Sequence, residues 1–434
     1  MLNRWFQWAR SVDLGIRRQG LQVHNLIQNM LALYGLHFAR YLIPLVTIPY
    51  LTRVLGPESW GILAFSQGFA AYLALFVEYG FDLSATREVA RNDQRKSELA
   101  ELIGNIIGAK LFLVVIAAGV ALLAFRMIPI FQGNSTVMWA CVMTGILQAM
   151  NFTWFFQGME KMRLISGVDI SGKVLAAVAL LILVHSPEDL PKAALVQLAL
   201  AALTQIVAWI MVNRVVSPTL PKPAGIMRTL QMGWTMFLFR ASSSLYTAGN
   251  TFILGTFATP TQVGFYAGAE KISKSFFGLL GPISQAFYPR LSRLAGQSRD
   301  DAKALFKLSV RLMGAGGVFL GLVVFFGAPW LVSILLGPTF QEAVPVLRIL
   351  ALLPPLIALS NVLGIQWMLP LGLDRVFNSI IITAGLLNLC LAAFLAPAFA
   401  QVGMAIAVVL AEFFVTACMI VVLRRLQPKT LPVS

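Results

Sequence analysis

The chain has little of what a soluble enzyme needs. Only 12% of its 434 residues are charged, with 18 acids against 33 lysines and arginines. Its three cysteines, Cys141, Cys390 and Cys418, are odd in number and far apart, which excludes a disulfide framework and supplies no metal-ligand spacing. The three histidines, His24, His37 and His185, are equally dispersed, so a metal cluster or a Ser/His/Asp centre has no support and no cofactor is expected. The first 24 residues are basic and carry Trp5, Phe6 and Trp8 but have no short apolar core followed by a small-residue cleavage site. They are therefore expected to stay as a basic arm, because such a segment lies on a membrane surface or extends from it and is not removed as a signal.

What is present in quantity is apolar sequence. Hydrophobic residues make up 58% of the chain and the mean hydropathy is +0.79, outside the range of soluble domains. A helix needs about 20 apolar residues to cross about 30 Å of hydrocarbon. Twelve such stretches are expected, near 25–54, 58–81, 99–125, 135–158, 165–185, 193–215, 229–256, 262–289, 304–326, 342–370, 376–395 and 401–424. The reading is an all-α integral membrane protein.

The formal net charge of +15 is distributed by position along the spans. Arg4, Arg10, Arg17 and Arg18 precede the first stretch, Arg87, Arg91, Arg95 and Lys96 follow the second, and Lys161, Arg163 and Lys173 surround the next even-numbered end. The alternate loops carry only Arg53, Arg126 and Lys192. Positive loops stay cytoplasmic, which places both termini inside. Nucleic-acid binding is excluded, since no basic face is interleaved with stacking aromatics.

The chain also repeats itself. Pro57 and Gly61 correspond to Pro260 and Gly264, each 203 positions on, with Arg40 near Arg240 upstream and Phe81 and Arg87 over Phe287 and Arg293 downstream. Six spans in each copy give both the same orientation, related by a pseudo-two-fold axis along the membrane normal. The expected organisation is a cytoplasmic arm (1–24), a first lobe (25–215), a cytoplasmic linker (216–228), a second lobe (229–425) and a cytoplasmic tail (426–434), with the substrate path in the cavity between lobes.

Charges inside spans are costly, so they face a cavity, a partner or a substrate. At about 1.5 Å per residue, Arg40, Arg240, Lys271 and Lys274 fall in the middle half of the membrane and Arg348 lies shallower, toward the outside. These five are the candidate lining of a cationic cavity that attracts an anion. Glu270 and Lys274 also have the i,i+4 spacing of an ion pair. Glu78 and Asp82 share a face at the inner end of the second span, suited to gating, to carrying a coupling proton or to pairing with the basic loop. Glu412 in the last span is the other intramembrane acid, suited to coupling or to a helix-to-helix hydrogen bond. Lys110 is placed to snorkel toward the headgroups. The pairs Gly104/Gly108 and Gly317/Gly321 read as close-packing spacings, and Pro44, Pro49, Pro354 and Pro355 as kinks.

The run 42–57 (LIPLVTIPYLTRVLGP), then Trp60-Gly61, Glu78-Tyr79-Gly80-Phe81 and Ser84-Ala85-Thr86-Arg87, closely resembles the opening of the Wzx-type O-antigen flippases. Leu336-Gly337-Pro338, the stretch 346–351 (VLRILA) and Ala411-Glu412 are similar to that family's second half. These are polysaccharide transporters of the superfamily that also contains the multidrug and toxin extrusion proteins. The resemblance implies a MATE-like fold of two six-helix lobes around a central cavity. It also implies translocation of an undecaprenyl-diphosphate-linked oligosaccharide across a bacterial inner membrane, with membrane lipids, a coupling proton or sodium ion and a polysaccharide polymerase as partners. The alternatives are drug or cation extrusion on the same fold, which favours an acidic or aromatic cavity, and a membrane polymerase or ligase. Enzymes of that last kind carry a substantial periplasmic loop, whereas the outer loops here are about 5 to 15 residues.

Overall fold

The computed structural model describes residues 46–91, 95–247 and 249–426. Arg40, His24, His37, Pro44, the N-terminal arm and most of the C-terminal tail lie outside them. Among the described residues the regular structure is entirely helical. In chain order it comprises α1 (46–55), α2 (57–78), α3 (Phe81–Arg91), α4 (Lys96–Met127), α5 (Pro129–Gly133), α6 (Ser135–Ala149), α7 (Thr153–Gly158), α8 (Met162–Leu183) and α9 (Leu190–Val215). There follow α10 (Pro223–Thr247), α11 (Asn250–Gly255), α12 (Pro260–Gly278), α13 (Gly281–Ala295), α14 (Arg299–Leu335), α15 (Ala343–Leu350), α16 (Leu353–Ser360) and α17 (Asp374–Leu426).

Seven helical segments among the described residues are long and apolar enough to cross a bilayer. Two of them, Val46–Arg91 and Asp374–Arg425, have 46 and 52 residues. At about 1.5 Å per residue each exceeds twice the hydrocarbon thickness of about 30 Å, so neither is a single straight crossing. The first turns at Gly56, with φ +72°, and the second at Ala400, with φ 46° and ψ −124°. Gly403 lies against the Leu395 carbonyl at that second turn, where a side chain would collide with it.

The halves of the chain break their helices alike. Proline opens α2 at Pro57 and α12 at Pro260, where it costs nothing because a first-turn N–H has no helical acceptor. Thr259 and Gln262 complete α12 as a capping box, with Gln262 N donating to Thr259 Oγ1 at 3.4 Å and Thr259 N donating to Gln262 Oε1 at 3.0 Å. Each helix then stops after about twenty residues, at Tyr79-Gly80 and at Leu279-Leu280, before a further helix continues.

The two starts touch reciprocally. A methyl group on Gly61 would overlap the Pro260 carbonyl, and one on Gly264 would overlap the Pro57 carbonyl. Position i meeting j′ while i′ meets j is the signature of a two-fold contact, and here the axis relates two parts of one chain. Deeper along α2, Phe65 and Phe69 take Phe252 of α11 between them, with ring centroids 5.1 and 5.2 Å away. At the far end Tyr79 stacks on Phe237 of α10 at 4.7 Å. One face of α2 is thus held by the second half along its whole length, about 33 Å for 22 residues.

The two glycine pairs serve different neighbours. Gly317 and Gly321 admit Pro354, Pro355 and Ala351 of the 351–360 stretch, as helix-to-helix spacing predicts. Gly104 and Gly108 instead lie under the extended 216–222 connection, at Thr219 and Pro221, and Thr219 N donates to the Ala100 carbonyl at 3.1 Å. Spacing alone does not distinguish a helix partner from an extended one.

Candidate transport cavity

A cavity of about 700 Å3 opens beside the other face of α2, walled by α1, α2, α6, α8 and α9 on one side and α12 on the other. Trp60, Leu63 and Gln67 reach it from α2 at i, i+3 and i+7, so they form one helical stripe. Three cations line it: Lys173 from α8 and Lys271 and Lys274 from α12. Each sits in a different electrostatic setting.

Lys173 pairs with Asp169 one turn earlier at 2.8 Å, both half exposed to the cavity. Lys274 pairs with Glu270 at 3.1 Å. Glu270 also accepts hydrogen bonds from Thr251 Oγ1 at 3.2 Å and Tyr266 Oη at 3.4 Å, which fix the carboxylate behind the cavity wall. Lys271 has no carboxylate in an ion pair among the described residues. Its ammonium lies 4.3 Å from the centre of the Trp60 ring, a cation–π contact that holds the charge at the wall without neutralising it. Among the described residues the cavity thus has one cation that is in no ion pair and rests on an aromatic seat, together with two paired ones.

The remaining polar lining is neutral. Gln67 Nε2 donates to Gln197 Oε1 at 2.9 Å across the cavity, and Gln148 and Thr204 add further hydrogen-bonding groups. Arg240 lies elsewhere, at the Tyr79 end of the α2–α10 contact, where it forms an ion pair with Asp82. The pair joins the two halves beside the Tyr79–Phe237 stack and the close approach of Gly80 to Met236. Gly80 has φ +72°, a left-handed conformation natural to glycine, and a Cβ there would collide with Met236.

A model of the family described as polysaccharide biosynthesis protein matches residues 26–295. The chain belongs to that family. A "Putative O-antigen transporter" of Escherichia coli strain K12 is 33% identical over 402 residues, covering 92% of this chain and 97% of that protein. A protein of the same description from Shigella dysenteriae is 29% identical over 403 residues, covering 91% and 98%. Among solved structures, the lipid II flippase MurJ in an inward closed conformation superposes with a TM-score of 0.71 at 9% identity, covering 92% of this chain and 87% of its own. An inward-facing multidrug transporter of the MATE family, MOP superfamily, gives 0.67 at 13% identity, with 90% and 96% covered. At those identities the likeness establishes the fold, and this polysaccharide biosynthesis family member has the MOP-type architecture.

Of the described residues singled out by depth, the family member's structure brings Lys271 and Lys274 together in the cavity and leaves Arg240 and Arg348 outside it. Arg348 is exposed on α15, 5.8 Å from the Phe325 ring, and lines no described cavity. Glu412 is buried and accepts a hydrogen bond from Ser360 Oγ at 2.6 Å, tying α17 to α16. Glu270 and Glu412 share a second, small pocket of about 70 Å3 with Asn250, Tyr266 and Lys274. Glu78 is half-buried and acts electrostatically on Lys110. Lys110 does not reach the headgroups: it is 2% exposed and donates to the Ala149 carbonyl at 2.6 Å, capping α6.

Two cavity features escaped the sequence reading. Lys173 reads as part of the basic inner rim, yet it faces the cavity about three turns into α8; its i,i+4 partner Asp169 was the available signal. Trp60 is a repeat landmark with Val263 opposite it, and nothing in the sequence says that its ring seats a lysine from the other half.

Proposed function

We propose that the chain is a flippase that carries an undecaprenyl-diphosphate-linked oligosaccharide from the cytoplasmic to the periplasmic leaflet of a bacterial inner membrane. The two lobes at 25–215 and 229–425 alternate access around the cavity, joined by the 216–228 linker, with both termini cytoplasmic. The observation that carries the reading is the 700 Å3 cavity with Lys271 on Trp60 between Lys173 and Lys274. The diphosphate is the part of such a lipid that cannot cross hydrocarbon unaided, and lysine ammonium groups attract it as point charges. Their flexible stems tolerate the turning of a head group better than a fixed fork does. Gln67, Gln148, Gln197 and Thr204 supply further hydrogen bonds to the head group beside the lysines.

Membership of the polysaccharide biosynthesis family and the O-antigen transporter names of the two relatives support the substrate class. A cationic drug is disfavoured by the same three lysines, and a chain that moves its substrate needs no catalytic group. With the inside negative, outward movement of anionic phosphate gains about 2.3 kcal/mol per charge per 100 mV, so the membrane potential contributes to the drive. Glu270 and Glu412 are the carboxylates assigned to any proton or sodium coupling. Arg240 with Asp82 closes the inner mouth, and Glu78 lies one turn from that closure. Arg40 and Arg348 are assigned secondary phosphate contacts during passage, and a polysaccharide polymerase is the expected recipient of the product.

The test is leaflet transfer of a fluorescent undecaprenyl-diphosphate oligosaccharide in proteoliposomes, with and without an imposed potential. Transfer stimulated by potential and lost in Lys271→Ala supports the reading. Absence of lipid transfer together with expulsion of cationic dyes would replace it with drug extrusion.

A further inference from the structure

A third cavity, of about 450 Å3, lies within the second half and has no counterpart to the lysines. It is bounded by the end of α12, the start of α13, Met313 of α14, and α16 with the helix that follows it. The three cavities succeed one another along α12: Lys274 borders both the first and the second, and Phe277 borders both the second and the third. From Lys274 to Gln285 the chain spans at most about 16 Å at helical rise, with the Leu279-Leu280 break between. The stretch of chain that borders the lysines therefore also borders this third space.

Its polar groups are Ser284, Gln285, Tyr288 and Asn361, with no charged side chain in the lining. Ser284 is held by a buried relay: Ser309 Oγ donates to Gln366 Oε1 at 2.6 Å, and Gln366 Nε2 donates to Ser284 Oγ at 3.0 Å. Because Ser284 accepts there, its own hydrogen stays available to a ligand. Asn361 donates to the Ile357 carbonyl at 3.1 Å and keeps its amide oxygen as an acceptor. Asn361 opens a π-helix over Asn361–Met368. Such turns are rare and concentrate at functional sites, since they widen the helix at a cost in regular bonding. Here the widened segment sets Asn361 and Ile365 on the cavity while Gln366, fully buried, holds the relay.

Hydroxyl and carboxamide groups that both donate and accept, beside the exposed Tyr288 ring, suit a ligand that is itself uncharged, rich in hydroxyls and apolar on one face. The volume is that of an ordinary ligand pocket, roughly 300–1,000 Å3. We propose that this cavity is a carbohydrate subsite that receives the neutral sugars of the passenger while the lysines hold its diphosphate; the proposal rests on the flippase reading above. The passenger is thus read in two places by two chemistries.

The experiment measures binding of three probes to the purified full chain and to the double variant Gln285→Leu/Asn361→Leu: undecaprenol, undecaprenyl diphosphate, and undecaprenyl-diphosphate oligosaccharide. In the wild type the oligosaccharide is expected to tighten binding over undecaprenyl diphosphate, and the variant to lose about tenfold of that gain, the size of two neutral hydrogen bonds. Unchanged affinity of the variant for undecaprenyl diphosphate shows that it is folded and isolates the loss to the sugar. Equal tightening in variant and wild type overturns the subsite while leaving the flippase reading intact. Weakened binding of undecaprenol itself assigns the cavity to the lipid tail and overturns the proposal. A wild type that binds all three probes alike removes the flippase reading, and the subsite with it.

Discussion

The cavity beside α2 and the cavity at the start of α13 both border α12 and differ in what lines them. The first collects Lys173, Lys271 and Lys274 with a single lining carboxylate, Asp169; the second has hydroxyls, amides and a phenol. A cation in a low-dielectric wall needs either an acid or an aromatic face, and each lysine has one of these. A neutral polar group needs only a hydrogen-bond partner, which the Ser309–Gln366–Ser284 relay supplies. Charged and neutral polar linings are thus kept apart: the cations gather where the two halves of the chain face one another, and the neutral groups lie within the second half alone.

The largest test of that division replaces the unneutralised cation by the chemistry of the other cavity. Lys271→Gln should weaken undecaprenyl-diphosphate binding about 10- to 100-fold, as loss of a charge-assisted contact does, and should stop transfer in proteoliposomes with the protein still folded. Transfer at the wild-type rate would mean that the first cavity does not read charge. Removing the seat while keeping the cation is milder. Trp60→Leu should cost about 3- to 30-fold in the same binding measurement, the range of a cation–π contact as it becomes desolvated.

The Arg240–Asp82 pair is the proposed closure. Asp82→Ala or Arg240→Ala should lower transfer about three- to tenfold, because a half-exposed pair contributes modestly and the stacked Tyr79 and Phe237 remain. The exchange Asp82→Arg with Arg240→Asp should recover most of the loss, a coupling that independent sites would not show. Failure of the exchange, with both singles impaired, would assign Arg240 to the substrate instead of the closure. Arg348→Ala should change transfer by less than about twofold, since its guanidinium rests on Phe325 outside every described cavity. A larger loss would mean that the Arg348 contact with the passing phosphate is a primary one and not secondary.

The residues legible in advance were those whose partners lie nearby in sequence. Glu270 and Lys274 are one turn apart, and the pair stands at 3.1 Å. Pro57 with Gly61 and Pro260 with Gly264 were readable as a repeat, and their reciprocal contact follows from the two-fold relation. Arg240 was legible only as a costly intramembrane charge. Its partner Asp82 is on the far side of a long chain separation, and depth alone had placed Arg240 among the cavity cations. Lys173 was read as rim because its position along α8 does not reveal which way the helix faces. The π-helical segment and its relay had no sequence signal, since Asn361, Gln366, Ser309 and Ser284 come from three separate helical segments.

By itself the amino-acid order determined that this chain enters a bilayer, as apolar runs and sparse charge leave no other solvent for it. It also determined the helical state of those runs, because backbone groups in hydrocarbon must bond within their own segment. Which charge meets an acid, which rests on a ring and which cavity stays neutral were decided only when α2, α10, α12 and α16 packed together. Those outcomes depend on distances between residues remote in sequence, and the strength of each interaction depends on water excluded by the packing itself.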